Sequence, residues 1–220
     1  MDNICSDLLT AIDTSVGDIT EREFALITGI LLNIARASLT VDTFNLASGL
    51  AKILSICSND DIQRAALQAL LVISKHSQFQ CAQSVLDELF TIQLQTFDIV
   101  SIRLATQILA NASAVEENAE ILLDDAIYQI MFDWFRSVAT QSDETIRDAA
   151  VVIQNIISHQ RLRQRCFDIG FDAVFLEGAK LLHNTHVGYG RRLHNRMYIF
   201  WKIIGEKITK SMLNIRFGDV

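Results

Sequence analysis

Arginines and asparagines that recur in one frame are the residues of this chain best suited to recognition chemistry. Four arginines each open an apolar segment, and asparagine stands eight positions after two of them, at Asn111 and Asn155. An asparagine amide both donates and accepts hydrogen bonds, whereas a guanidinium binds carboxylates through a planar fork. These residue types favour the binding of another chain. The four arginines are Arg64, Arg103, Arg147 and Arg191.

The sequence holds no recognisable catalytic arrangement. His183 and His186 have a spacing that suits a metal, but no cysteine or carboxylate completes a known zinc-site pattern beside them. Asp124 and Asp125 are adjacent, and adjacent helical side chains point apart, which makes them a poor acid–base pair. We therefore predict a protein that is not an enzyme and that has no metal and no cofactor.

A fixed period places the recurring residues on stacked helices. Anchor positions at 33, 72, 111, 155 and 199 are separated by 39, 39, 44 and 44 residues. A period of about 40 residues that is built from helical patterns is typical of helical repeats. Second helical segments between the anchors are predicted roughly over 41–56, 79–95, 116–138 and 161–182.

Composition and helix-start signals agree with this interpretation. The chain has no proline and nine glycines among 220 residues, which favours long helices over sheets with many turns. Residues 20–23 and 113–116 both fit capping boxes, in which a hydroxyl and a carboxylate satisfy the first backbone N–H groups. Asp60 and Asp143 place negative charge where the following helices begin.

Charge is distributed unevenly along the chain. Residues 159–220 carry eleven bases and five acids, a net charge of +6, whereas the remainder carries eight bases and twenty-one acids, a net charge of −13. The acidic body repels nucleic acid, and the basic end attracts acidic peptides, phosphate or RNA. An ordinary solvated face on a terminal repeat is the alternative interpretation of the basic end.

Cysteine usage and the lack of a leader predict a soluble, cytoplasmic protein, with nuclear entry left open. The four cysteines are widely spaced, and three lie in apolar helical patterns, which fits buried thiols in a reducing compartment. The first residues lack a charged-then-apolar leader. No apolar stretch approaches the roughly 20 residues that span a bilayer.

Three segments resemble the armadillo repeat family. RCFDIGFDAVFLEGAKLL fits a short helix, a glycine bend at Gly170 and a second helix that ends in a leucine pair. IRLATQILANAS and IRDAAVVIQNIIS fit the long third helix of that family. The proline common after the bend is absent, and residues 143–147 also fit the D-x-x-[IV]-R start of the related HEAT repeat, which stays the alternative.

The resemblance implies an all-α fold, an α-solenoid that forms a right-handed superhelix of about five armadillo-like repeats. One domain, 1–220, would contain units at roughly 20–37, 38–77, 78–115, 116–160 and 161–208. In this family the third helices line a concave groove, and residues spaced by four share one helix face. The predicted groove residues are Asn33, Gln68, Gln107, Asn111, Val151, Asn155 and Asn195.

The groove asparagines and the arginines each have two interpretations. The asparagines either bind the backbone of an extended peptide, or bond to neighbouring turns and hold the stack together. The arginines either pair with acidic residues of the adjoining unit or bind an acidic partner. The acids near them in the sequence are Asp60, Asp98, Asp143 and Asp148. Possible contacts to an acidic partner are Arg64, Arg103, Arg147, Arg191, Arg192, Arg196 and Trp201.

The last unit offers a second contact site. Trp201 has no following repeat to cover it, so that end either carries its own cap or exposes an apolar patch beside Arg191, Arg192 and Arg196. Arginine and tryptophan dominate the energetics of many protein interfaces.

Three functions remain open from the sequence. The first is a monomeric, non-catalytic scaffold that holds a peptide or helix of another protein in the groove. The second is implied by the resemblance alone, because some small armadillo proteins clasp Hsp70 and promote nucleotide exchange. The third is a nucleic-acid or phosphoprotein adaptor that uses the basic C-terminal end, although the acidic body makes nucleic acid an unfavourable partner.

Overall fold

Helices account for all the regular structure that the computed structural model describes. It describes residue 10 and residues 20–37, 43–76, 79–96, 98–124 and 143–169. Within these ranges no strand occurs, which confirms the predicted all-α class. The helices are α1 (Glu21–Ala37), α2 (Thr43–Ile56), α3 (Asp60–Ser74), α4 (Gln83–Gln95), α5 (Ile99–Ala112), α6 (Glu116–Leu122), α7 (Asp143–Ser158), a 3-10 turn (Gln160–Leu162) and α8 (Arg163–Asp168).

The helices pack in two layers that follow the order of the chain. Helices α1, α3, α5 and α7 form the inner layer, in which each packs on the next. Helices α2 and α4 form an outer layer, where they pack on each other and on α3 and α5 respectively. Units that seal one another's apolar faces in sequence define an α-solenoid. The predicted solenoid is therefore confirmed for the described part of the chain.

Small residues let the inner helices approach one another closely. Ala66, Ala105 and Ala149 stand two positions after the recurring arginines, and each is at most 1% exposed. They belong to one core cluster that runs from Phe24 to Cys166. Since alanine adds little bulk, α3, α5 and α7 can each approach a neighbouring inner helix closely at this position.

One of the two predicted capping boxes forms. The backbone N–H of Thr20 donates to Glu23 Oε2 at 2.8 Å, and that of Glu23 donates to Thr20 Oγ1 at 3.4 Å. The prediction of a capping box at residues 113–116 is wrong, because the N-cap of α6 is Val115, which makes no side-chain hydrogen bond to the helix. Ser113 instead donates its hydroxyl to the carbonyl of Ala110 at 2.9 Å.

Element boundaries agree with the sequence except after α5. Helices α2 and α4 fall inside the predicted segments 41–56 and 79–95. The segment predicted over 116–138 begins with α6, which ends at Leu122 in a turn rather than continuing. The described part of the last segment contains α8, and Gly170 lies outside the described residues.

Candidate binding ridge on the inner layer

The inner helices carry the predicted groove residues on one side. Asn33 on α1 and Gln68 on α3 are exposed, Gln107 on α5 is half-buried, and Val151 on α7 is 36% exposed. Gln68, Gln107 and Val151 each stand four positions before a recurring anchor, and Asn33 is itself an anchor, so helical spacing places all four on one face of their helices. We call Gln68, Gln107 and Val151 the exposed row. Asn195 lies outside the described residues.

Asn111 is tied to the preceding inner helix. Its Nδ2 donates to the hydroxyl of Ser74 at 2.9 Å, across 37 residues of sequence. Ser74 donates in turn to the carbonyl of Leu71 at 3.0 Å, which leaves its oxygen free to accept from Asn111. The amide therefore joins α5 to the last turn of α3.

Asn155 repeats this contact one unit further along. Its Nδ2 donates to the carbonyl of Ala110 at 2.9 Å and to the hydroxyl of Ser113 at 3.1 Å. Because a carbonyl oxygen only accepts, the nitrogen of the amide must face Ala110. Both asparagines thus make the contacts that the structural interpretation requires. For a ligand, the amide oxygens remain as acceptors.

Arg64 also bridges two inner helices. Its Nε donates to Asp98 Oδ2 at 2.9 Å, and its Nη1 lies 3.3 Å from Asp61 Oδ1. Asp98 is the N-cap of α5 and accepts from the backbone N–H of Ser101 at 3.0 Å and from its hydroxyl at 2.6 Å. The side chain of Asp98 is 18% exposed. The guanidinium is therefore engaged within the stack.

The charge on Asp98 is stabilised by these donors. Its pKa falls from the usual 3.8 to about 2, mainly because of the hydrogen bond from Arg64, with further lowering from Ser101. Burial opposes this shift by raising the pKa. The pKa of Arg64 is raised by the same hydrogen bond and by the charge on Asp98.

The second arginine forms an equivalent but more open bridge. Arg103 Nη1 lies 2.8 Å from Glu144 Oε2 in the first turn of α7, and both side chains are about half exposed, at 47% and 52%. Exposed pairs of this kind contribute little to stability, because water screens them. The sequence suggested Asp143 as a nearby acid, and the structure places Glu144 at this contact.

The other residues predicted to contact an acidic partner are not among the side chains that the structure describes. Arg147 lies on α7, but its side chain is not among those described. The basic C-terminal group lies outside the described residues altogether, and so do the histidines that were considered for a metal site. That group is Arg191, Arg192, Arg196 and Trp201.

Asn118 is a structural residue that the sequence analysis missed. Its side chain is 1% exposed. It accepts from the backbone N–H of Cys81 at 3.1 Å and donates to the carbonyls of Phe79 at 2.6 Å and Ala112 at 3.1 Å. It therefore fixes the segment before α4 against the end of α5. No local pattern marks it, because the loop partners lie 37 and 39 residues away.

The described residues contain neither a metal cluster nor an activated thiol. No group of three or more histidine, cysteine or acidic side chains comes together in them. Burial raises the pKa of Cys81 and that of Cys166 to about 12, so both thiols stay protonated at neutral pH. Cys57 is buried as well, which confirms the predicted buried thiols. None of the helices described has the length and apolarity to cross a membrane.

Comparison with known proteins gives a structural likeness to a repeat protein. No protein-family model matches the sequence, and no curated protein matches it. A designed armadillo repeat protein, solved in complex with the peptide (KR)4, is similar with a TM-score of 0.39 and 14% sequence identity. The similarity covers 89% of this chain and 98% of the designed chain. Because a TM-score of 0.39 is low, the assignment of an α-solenoid depends on the packing order of the helices and not on this similarity.

Proposed function

We propose that this chain is a non-catalytic interaction module that holds a peptide or a helix of another protein against the inner layer. The observation that carries the proposal is the exposed row. Its three residues lie on three successive inner helices, where the side chains of Gln68 and Val151 are exposed to solvent and that of Gln107 is half-buried. Side chains that recur on a rigid stack at helical spacing suit an elongated partner.

Two kinds of contact supplement the exposed row in this proposal. The amide oxygens of Asn111 and Asn155 accept backbone N–H groups, since their nitrogens are used within the stack. The basic C-terminal group would supply the charge that binds an acidic segment. Arg64 and Arg103 contribute less to such binding, because an acidic partner must first displace Asp98 and Glu144.

The contacts of the asparagines determine which variants can test the proposal. Replacing Asn111 or Asn155 removes bonds that join inner helices, so a loss of binding would not separate recognition from folding. Gln68→Ala and Val151→Asp change exposed side chains and should leave the unfolding midpoint nearly unchanged.

Site-specific photo-cross-linking identifies the partner and the surface together. A photoreactive residue at position 68 faces solvent on the inner layer, and one at position 84 faces solvent on the outer layer. In an extract of the cells that make the protein, we expect the same partner to be captured from position 68 and not from position 84. Val151→Asp should weaken that capture. Equal capture from both positions would refute the proposed surface.

A further inference from the structure

A second row of side chains runs beside the exposed row, where the inner helices begin. Its members stand seven positions before those of the exposed row, which is two helical turns earlier on the same face. They are Asp61 on α3, Val100 on α5 and Glu144 on α7, and we call them the edge row. Asp61 and Glu144 expose 91% and 52% of their side chains, and Val100 is 50% exposed.

Two arginine bridges show that the members of the edge row are neighbours. Arg64 contacts both Asp61 and the carboxylate of the N-cap of α5, which lies two positions before Val100. Arg103, one helical turn after Val100, contacts Glu144. The order across the three helices is therefore acid, apolar side chain, acid.

Helix stability accounts for the acids of the edge row but not for its apolar member. Negative charge in the first turn is favourable because of the helix dipole, and α3 and α7 both begin with two acids. Helix α5 instead has Ile99 and Val100 in its first turn, where they are 63% and 50% exposed. A partner that covers this pair removes apolar surface from water.

The surroundings of the edge row are acidic. Residues 60–64, 98–103 and 143–148 together carry six acids and three bases, a net charge of −3. The arginine bridges use Oδ1 of Asp61 and Oε2 of Glu144. Since a carboxylate accepts through both of its oxygens, each of these acids can accept from an added lysine or arginine. The charge therefore favours a basic partner at this edge.

The distance between the inner helices limits the conformation of such a partner. Helix α5 packs on both α3 and α7, and packed helices lie about 8–10 Å apart. A polyproline II segment has three residues per turn and rises about 3.1 Å per residue, so its side chains recur on one face every ~9 Å. A β-strand presents side chains on one face every ~7 Å, which does not match the helices.

We propose that the edge row binds a partner segment in the polyproline II conformation with the pattern basic-x-x-apolar-x-x-basic. The apolar side chain packs on Ile99 and Val100, and the two basic side chains pair with Asp61 and Glu144. This specificity deepens the proposed interaction module and rests on it, since the segment must lie across the same three inner helices.

Fluorescence anisotropy with labelled peptides tests the pattern. The probe KAPLAPK has the proposed spacing and contains prolines, which favour polyproline II. The peptide KAPALPK has the same composition, with leucine moved by one residue. The probe should bind several-fold more tightly than this control, and its binding should weaken as salt is added. No binding of the probe, or equal binding of the two peptides, would overturn the proposal.

Variants of exposed residues locate the binding site of the probe. Val100→Ser should weaken binding about tenfold through lost apolar contact, whereas Phe44→Ser, at 45% exposure on α2, should leave it unchanged. Asp61→Asn should weaken binding and reduce its salt dependence, and Glu117→Gln on α6 should do neither. The unfolding midpoint should stay nearly unchanged in all four, because each changed side chain is exposed. Equal effects of a variant and its control would refute the edge row.

Photo-cross-linking separates a failure of this pattern from a failure of the module itself. The partner segment captured from position 68 should contain the pattern, and its capture should fall in Val100→Ser. Capture from position 68 that Val100→Ser leaves unchanged would refute the pattern and retain the module. Equal capture from positions 68 and 84 would refute the module. A second copy of this chain as the captured partner would also overturn the pattern proposed for the edge row.

Discussion

At the scale of single residues, Asp98 joins two functions in one carboxylate. Its Oδ2 caps α5 through Ser101 and at the same time binds Arg64 of the preceding inner helix. The cap satisfies an N–H group that the helix itself cannot pair. The ion pair joins two successive inner helices, so the start of α5 depends on α3.

Asp98→Asn should remove part of the acid sensitivity of the fold. The folded-state pKa of Asp98, about 2, lies below the usual 3.8, so the ionised form stabilises the folded state. That stabilisation is complete above the usual pKa and is lost as the pH falls toward 2. Asparagine keeps the cap but cannot ionise. The difference in unfolding free energy between the two proteins, measured in urea, should therefore shrink on acidification.

A difference that stays constant across this pH range would show that Asp98 is not specifically stabilised in the folded state. Asp98→Ala is the matched control for the cap. It removes the acceptor as well as the charge, and should cost about 1–2 kcal/mol at neutral pH.

The arginine partners show how far the sequence could predict contacts of single residues. The helical period placed Arg64 at the start of an inner helix, and Asp98 was among the acids expected nearby. Glu144 was not singled out as the partner of Arg103. Which of two consecutive acids meets an arginine depends on the rotation of one helix against the next, and that rotation is set by the packed core rather than by local pattern.

Gly29→Ala should stabilise the chain. Gly29 lies inside α1, and a Cβ added there would have nothing within 4 Å. Alanine restricts the unfolded chain more than glycine does, so we expect a gain of about 0.5–1 kcal/mol in chemical denaturation. Ala25→Gly, at an exposed position of the same helix, should cost a similar amount. Destabilisation by Gly29→Ala would mean that the surface beside Gly29 is occupied.

At the scale of elements, buried side chains add to the backbone hydrogen bonds of the turns in fixing how the helices lie against one another. Asn118 satisfies backbone groups of Phe79, Cys81 and Ala112. Gln93 on α4 donates to the carbonyl of Ile102 at 2.7 Å and to Thr106 Oγ1 at 2.6 Å. These bonds fix where α4 and α6 lie against α5.

Asn118→Ala should be among the most damaging polar substitutions in the described part of the chain. It leaves the carbonyl of Phe79 and the N–H of Cys81 without this partner, whereas the carbonyl of Ala112 keeps its bond from the N–H of Val115. We therefore expect a loss of about 2–5 kcal/mol in unfolding free energy. Gln83→Ala changes an exposed side chain close to the same loop and should leave the unfolding midpoint unchanged. An equal effect of the two substitutions would show that water replaces the bonds of Asn118.

Helix starts could be predicted where the capping motif is local and no distant residue binds its side chains. Residues 20–23 form the expected box, because Thr20 precedes α1 and has no competing role. Ser113 has the same local pattern, but it ends α5 and accepts from Asn155 of α7. A contact across 42 residues therefore overrides a three-residue motif, and no reading of the local sequence could show this.

At the scale of the whole molecule, the period of about 40 residues was the most informative feature of the sequence. It predicted the order of the inner helices, because the four anchors among the described residues, at 33, 72, 111 and 155, each lie on one of them. The period could not show that the side chains of Asn111 and Asn155 bond to the preceding unit, since the direction of a side chain depends on the neighbouring helix. The boundaries of the five proposed units, and the groove itself, stay predictions.

A solenoid should also lose stability locally when one end is damaged. Leu31 on α1 and Ile156 on α7 are both fully buried, at 0% exposure, but their helices are not neighbours in the stack, since α1 packs on α3 and α7 packs on α5. In a repeat stack, stability is close to a sum of terms between neighbours, so damage at one end spreads only a short way. Hydrogen exchange should therefore speed up in α1–α3 for Leu31→Ala and in α5–α7 for Ile156→Ala. A compact globule would instead lose protection everywhere in both variants, and that result would remove the basis for an extended binding ridge.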